Sequence, residues 1–130
     1  MEANEPKYWL VGATFEDNDH QDETFVSKGI WMLGWEEGHQ YAKAAEIAVG
    51  DRVAIKRLLG RGQTGLRIMH IGVVRGVILD VNKVICTVNW VATDLNRIVN
   101  ESKGCFKSVH GPYLKSDPSS KQWIEEIFSL

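Results

Sequence analysis

Apolar residues in this chain come in short blocks, and their period changes along it. Tyr8, Trp9, Leu10 and Val11 are strong sheet formers closed by Gly12, which predicts a first strand over residues 7–15. The acidic, polar run from Glu16 to Glu23 reads as a loop. Asp22 is placed to cap a short helix through Thr24, Phe25, Val26 and Ser27 that ends at Gly29. Gln40 to Val49 carries Tyr41, Ala44, Ala45 and Ala48 at helical spacing and stops at Gly50.

From Asp51 onward the period becomes that of sheet. Val53 and Ile55 alternate with Arg52, Ala54 and Lys56, the pattern of a half-buried strand. A glycine-rich loop over residues 59–65 follows, then Leu66 to Leu79, long enough for one bent strand or two, with Gly72 and Gly76 marking bends. Residues 84–91 form another strand, joined to the last by the turn at 80–83. Residues 92–118 loosen into loops with short extended pieces. Ser119 or Ser120 is then expected to cap a last helix, Gln122 to Phe128, with Trp123, Ile124, Ile127 and Phe128 on one face. Successive strand pairs with few short helices predict an α+β fold, a small mixed or antiparallel β-barrel with flanking helices, in a single domain over residues 1–130. The chain stops almost directly after the last helix, as a module cut from a longer protein would.

Composition narrows the class. A chain of 130 residues and 14.7 kDa, 44% apolar and 25% charged, buries a core without disulfides or metal. No run approaches the roughly 18 apolar residues of a membrane span, and the start MEANEPKY has neither an apolar stretch nor a basic leader, so a cytoplasmic protein with no membrane partner is expected. Cys86 and Cys105 lack C-x-x-C spacing, and His20, His39, His70 and His110 lack ligand spacing, so reduced thiols, no metal and no cofactor are expected.

The net charge of −2 conceals a division. Residues 1–46 hold ten acids against three bases, and residues 47–130 hold twelve bases against seven acids. Arg52, Lys56, Arg57, Arg61, Arg67 and Arg75 follow one another with no acid until Asp80. Such a run suits a phosphate backbone, and equally the solvated face of alternating strands.

Catalytic motifs do not emerge. The GRGQTG loop lacks the G-K-[S/T] ending and joins two strands, where a phosphate loop must open a helix. Ser108 or Cys105 with His110 lacks an orienting third group and a nucleophile elbow. Among the five tryptophans, Trp9, Trp90 and Trp123 sit in periodic segments and read as core. Trp31 and Trp35 follow Gly29 in a segment with neither period, where an exposed indole could stack on a nucleobase.

The segments YWLVGATFEDNDHQDETFVSKGIW, VGDRVAIK, IGVVRGV and VNWV resemble, in order and spacing, the PUA-like superfamily, particularly its EVE and YTH branches. The resemblance covers roughly residues 7–98. CFKSVHGPY and WIEEIF are similar to the N-terminal domains of McrB-like ATPase subunits of modification-dependent restriction systems. The resemblance implies a domain that reads a modified base and catalyses nothing. It places Trp31 as the cage tryptophan, Thr14 on the base's Watson–Crick edge and Met32 beside the tryptophan. Gly12-Ala13 departs from the Lys-Ser common after the first strand, no second cage tryptophan follows Gly76, and either Trp35 or Phe106 supplies the missing wall.

A base in a duplex has no free faces, so reading it in a pocket requires flipping it out at a few kcal/mol. Arg52, Lys56, Arg57, Arg61 and Lys107 would hold the nucleic-acid backbone through salt-sensitive contacts. The expected partner is nucleic acid, modified DNA ahead of RNA, with a fused or associated AAA+ NTPase and nuclease. The alternative is a small-ligand or protein-interaction module on the same barrel.

Overall fold

The computed structural model describes residues 5–15, 19–33, 40–60, 62–81, 83–105 and 108–130. Strands β1 (Tyr8–Gly12), β2 (Thr14–Phe15) and β3 (Asp19–His20) lead into helix α1 (Asp22–Lys28). Strand β4 (Ile30–Met32) and the single-turn helix α2 (Tyr41–Ala44) come next. The remainder is β5 (Arg52–Leu58), β6 (Leu66–Asp80), β7 (Lys83–Ala92), β8 (Arg97–Val99), β9 (Val109–Tyr113) and α3 (Pro118–Phe128). The main sheet has the order β4-β7-β6-β5-β1-β9, with β8 paired to the start of β6, and β2–β3 form a separate hairpin. Pairing is antiparallel except between β1 and β5, whose parallel register runs from Tyr8↔Arg52 to Gly12↔Lys56. The fold is α+β with a mixed sheet, the expected class, and the parallel β1–β5 pair is the departure from the antiparallel pairing that successive strands indicate.

The expected barrel does not close among the described residues: β4 and β9 end the sheet and do not pair with each other. At the β9 edge a side chain takes the place a strand would fill. Gln40 donates from Nε2 to the Val109 carbonyl (3.2 Å) and accepts the Val109 N–H at Oε1 (3.0 Å), while Pro112 offers no N–H further along. A primary amide thus mimics a peptide partner and blunts the edge.

The sheet is covered on both faces, which the expected alternation on β5 did not anticipate. Trp9, Val11, Val53, Ile55, Met69, Val74, Cys86 and Val88 point to one core with Phe25 of α1 and Ala44 of α2. Tyr8, Leu10, Ala54, Leu66, Ile68 and Ile71 point to a second, with Trp123, Ile124, Ile127 and Phe128 of α3. Central strands packed on two sides are apolar at successive positions, so Ala54 and Lys56 are buried, not solvated. A register shift between Ile55 and Lys56 further breaks the alternation.

Local caps also differ from expectation. The first residue of α1 makes no side-chain cap, because the Asp22 carboxylate turns into the interior. Asp117, not Ser119 or Ser120, caps α3, accepting the Ser119 N–H (3.1 Å), with Pro118 in the first turn. Helix α2 is shorter than the ten residues its pattern suggested because Asp51 draws the following backbone into a turn, accepting the Ala48 N–H at 2.9 Å. Asp51 also accepts from Trp9 Nε1 (3.0 Å) and the Lys7 N–H (3.2 Å), tying the starts of β1 and β5 together. That is the structural reason for the Gly50-Asp51 turn. No helix among the described residues is long and apolar enough to cross a membrane.

Candidate nucleic-acid interface

The expected site centres on β4. Gly29 ends α1 in the left-handed region (φ 67°), a conformation that costs a residue with a Cβ, and so turns the chain sharply into the strand. Bonds from the Val88 N–H to the Gly29 carbonyl (2.8 Å) and from the Leu33 N–H to the Val84 carbonyl (3.0 Å) frame β4 on β7, with Trp31 opposite Cys86. Trp31 enters the first core, and Met32, half-buried and paired with Ile85, packs against the margin of the same core. The indole is 0% exposed, not the open wall its position suggested, and donates from Nε1 to the Gly12 carbonyl at 2.9 Å. Trp31 and the end of β1 are therefore brought together, with the indole sealed inside.

Two residues beyond Gly12, the chain emerges. Thr14 is exposed and pairs in register with His20 across the β2–β3 hairpin, Oγ1 lying 2.8 Å from Nδ1. The hairpin is anchored at its base by the Gln21 N–H on the Ala13 carbonyl (2.6 Å). An exposed hydroxyl and imidazole thus follow closely on Gly12, whose carbonyl holds the buried indole.

Two residues after His20, Asp22 enters a charged network. Arg57 on β5 donates from Nη2 to both Asp22 oxygens (2.8 and 2.9 Å), and His70 on β6 contacts Oδ2 at 3.1 Å. His70 accepts the Asp94 N–H at Nδ1 (3.1 Å), so its proton sits on Nε2 and is donated to Asp22. Burial pushes the Asp22 carboxyl up, but the hydrogen bonds from Arg57 and His70, with the Arg57 charge, outweigh it and hold the group below its ordinary range. Trp90 is half-buried beside the network, its indole donating to the Phe25 carbonyl (3.2 Å), and Gly72 opposite leaves room for its ring. Sequence reasoning missed this network. The available signal was His70 itself, a polar residue inside the apolar run Ile68-Met69-His70-Ile71.

The cationic run is mostly engaged internally. Arg52 folds back onto the Gly50 carbonyl, Lys56 is 5% exposed beside Gly12 and Ser108, and Arg57 belongs to Asp22. Arg75 is the exposed cation among the described members. Trp35, Phe106, Arg61 and Lys107 lie outside the described residues. Cys105, weighed as a nucleophile, faces the second core with Sγ 3.5 Å from the Tyr113 hydroxyl. Among the described residues no group of three or more His, Cys, Asp or Glu side chains is arranged to hold a metal.

No family model and no curated protein matches the chain. Among solved structures, it is similar to the YTH domain of Zygosaccharomyces rouxii MRB1 protein, determined in complex with N6-methyladenosine RNA, at a TM-score of 0.41 and 11% identity. The match covers 76% of this chain and 66% of that one, so the chain spans slightly less than two thirds of its length.

Proposed function

We propose that this domain reads a modified nucleobase, flipped from DNA, and serves as the targeting module of a modification-dependent restriction system, binding without turnover beside an AAA+ NTPase and a nuclease. The observation that carries the reading is the seating of Trp31 against the end of β1, its indole N–H on the Gly12 carbonyl, with Thr14 exposed two residues beyond. That arrangement joins the two segments, YWLVGATF and GIW, on which the sequence resemblance rests. Of the described members of the cationic run, Arg75 is the exposed one and is the group left for a phosphate contact.

Since Trp31 is enclosed, a base reaches its face only when the packing over it opens, so binding couples to a local rearrangement. Stacking is worth about 1 to 3 kcal/mol per base, comparable to the cost of unstacking and unpairing, which makes contacts to the modification decisive. Fluorescence anisotropy tests this with duplexes of one sequence that are unmodified, N6-methylated on adenine, or methylated or hydroxymethylated on cytosine, at two salt concentrations, with the matching RNAs. A preference of tenfold or more, about 1.4 kcal/mol, for one modified duplex is the expected result. Equal, salt-sensitive binding to all removes the reader and leaves a basic surface, and a preference confined to RNA moves the function to transcripts.

A further inference from the structure

Resting on the reader proposed above, we infer that His20 is a positioning residue that sets the hydroxyl of Thr14 for the base edge. The two side chains are the exposed polar pair of a two-strand hairpin, directly opposite in register and 2.8 Å apart. The hairpin stands on a rigid base. Below Thr14, Gly12 is held by its N–H on the Ser108 carbonyl (2.8 Å) and by the Trp31 indole on its own carbonyl. Below His20, the Gln21 N–H reaches the Ala13 carbonyl (2.6 Å), and Asp22 is clamped by Arg57 and His70. A group held on a fixed scaffold presents its hydrogen bonds at less entropic cost than a free side chain.

The chemistry of the pair is complementary in either arrangement. When the Thr14 hydroxyl donates to Nδ1, its remaining lone pairs face outward and the hydroxyl can only accept from a ligand. When Nδ1 carries the proton and donates, the hydroxyl is released to donate. A lone threonine rotor can do either, and so discriminates weakly. A neutral His20 with its acceptor at Nδ1 makes Thr14 an obligate acceptor, suited to the N–H of an exocyclic amine such as that of N6-methyladenine or a cytosine. His20 thereby acts through Thr14, without touching the base itself.

The test is a double-mutant cycle on modification preference, the ratio of Kd for the unmodified to the modified duplex, using the full chain. Both positions are exposed, so T14V and H20A retain the thermal melting profile of the parent, which is recorded alongside. The expected result is loss of at least about tenfold in preference with H20A, no further loss when H20A is added to T14V, and recovery with H20N, whose amide places an acceptor where Nδ1 lies. Additive losses, an equal weakening for modified and unmodified duplexes, or a full preference in H20A overturns the inference while leaving the reader in place. Absence of any preference in the unsubstituted protein overturns the reader and this inference together.

Discussion

Trp31 and Asp22 occupy the two positions where a single side chain decides most. Trp31 fills the first core completely, so Trp31→Ala removes a large packed surface and is expected to destabilise the protein by about 3 to 5 kcal/mol, read from urea unfolding. Trp31→Phe keeps an aromatic ring, losing the bond to Gly12 and only part of the packed ring volume. It is the variant in which base selectivity can be measured on a folded protein, and a reader should retain part of its preference there. Asp22 is different in kind, because its removal strands Arg57 and His70. Asp22→Ala is expected to cost about 2 to 3 kcal/mol, below the range for fully buried pairs because part of Arg57 reaches water. The sign of its pH dependence follows from a depressed carboxyl. Its stabilisation is fully present above the ordinary Asp value and is lost as pH falls through the lower folded value. Urea midpoints from neutral to acid pH should fall less steeply in Asp22→Asn than in the parent, and equal slopes would assign acid sensitivity to other carboxylates.

Elements in this fold are finished by residues from outside them. Strand β9 has its free edge closed by Gln40, whose two hydrogen bonds with Val109 join the segment before α2 to the last strand. Gln40→Ala is expected to cost about 1 to 3 kcal/mol and to expose a pairing edge, visible as concentration-dependent association in sedimentation velocity. An unchanged stability and a monomer at all concentrations would show that Pro112 alone protects the strand. Helix α1 depends in the same way on Gly29, whose φ of 67° lets the chain turn directly into β4. Gly29→Ala is expected to cost about 1 to 2 kcal/mol, the penalty for a Cβ in the left-handed region. It should also loosen β4, and with it Trp31, which faster amide exchange at Trp31 and Leu33 would register.

The molecule as a whole is built on one main sheet with a core on each face, and a free thiol reports on each. Cys86 lies in the core with α1 and α2, where burial, with the Asp51 charge, pushes its thiol up to about 12. Cys105 lies in the core with α3, and burial raises it as well, against the hydrogen bond from Tyr113. Neither is expected to react with a thiol reagent in the native state. Because β1, β5 and β6 contribute side chains to both cores, the two cysteines should become reactive together as urea is raised, resolved site by site by mass spectrometry. Earlier labelling of Cys105 would mean that α3 opens as a separate unit.

What residues 1–130 determined by themselves is the order and type of the elements: the YWLV strand, the helix stopped by Gly29, the long bent strand over 66–80, its hairpin partner and the amphipathic last helix. These are written in local periodicity and turn chemistry, which act over a few residues. The approach of Trp31 to the end of β1 was legible only through resemblance, since it depends on β4 pairing with β7 across more than fifty residues. Burial on both faces of β5, and with it the burial of Lys56 and the pairing of Arg57 with Asp22, was decided by tertiary structure. So was the use of Asp22 as an ion-pair centre where a helix cap was expected, and of Gln40 as the partner of an edge strand. In each case the partner lies 35 or more residues away, and the desolvation and hydrogen bonding that select the arrangement exist only once the sheet has brought the two together.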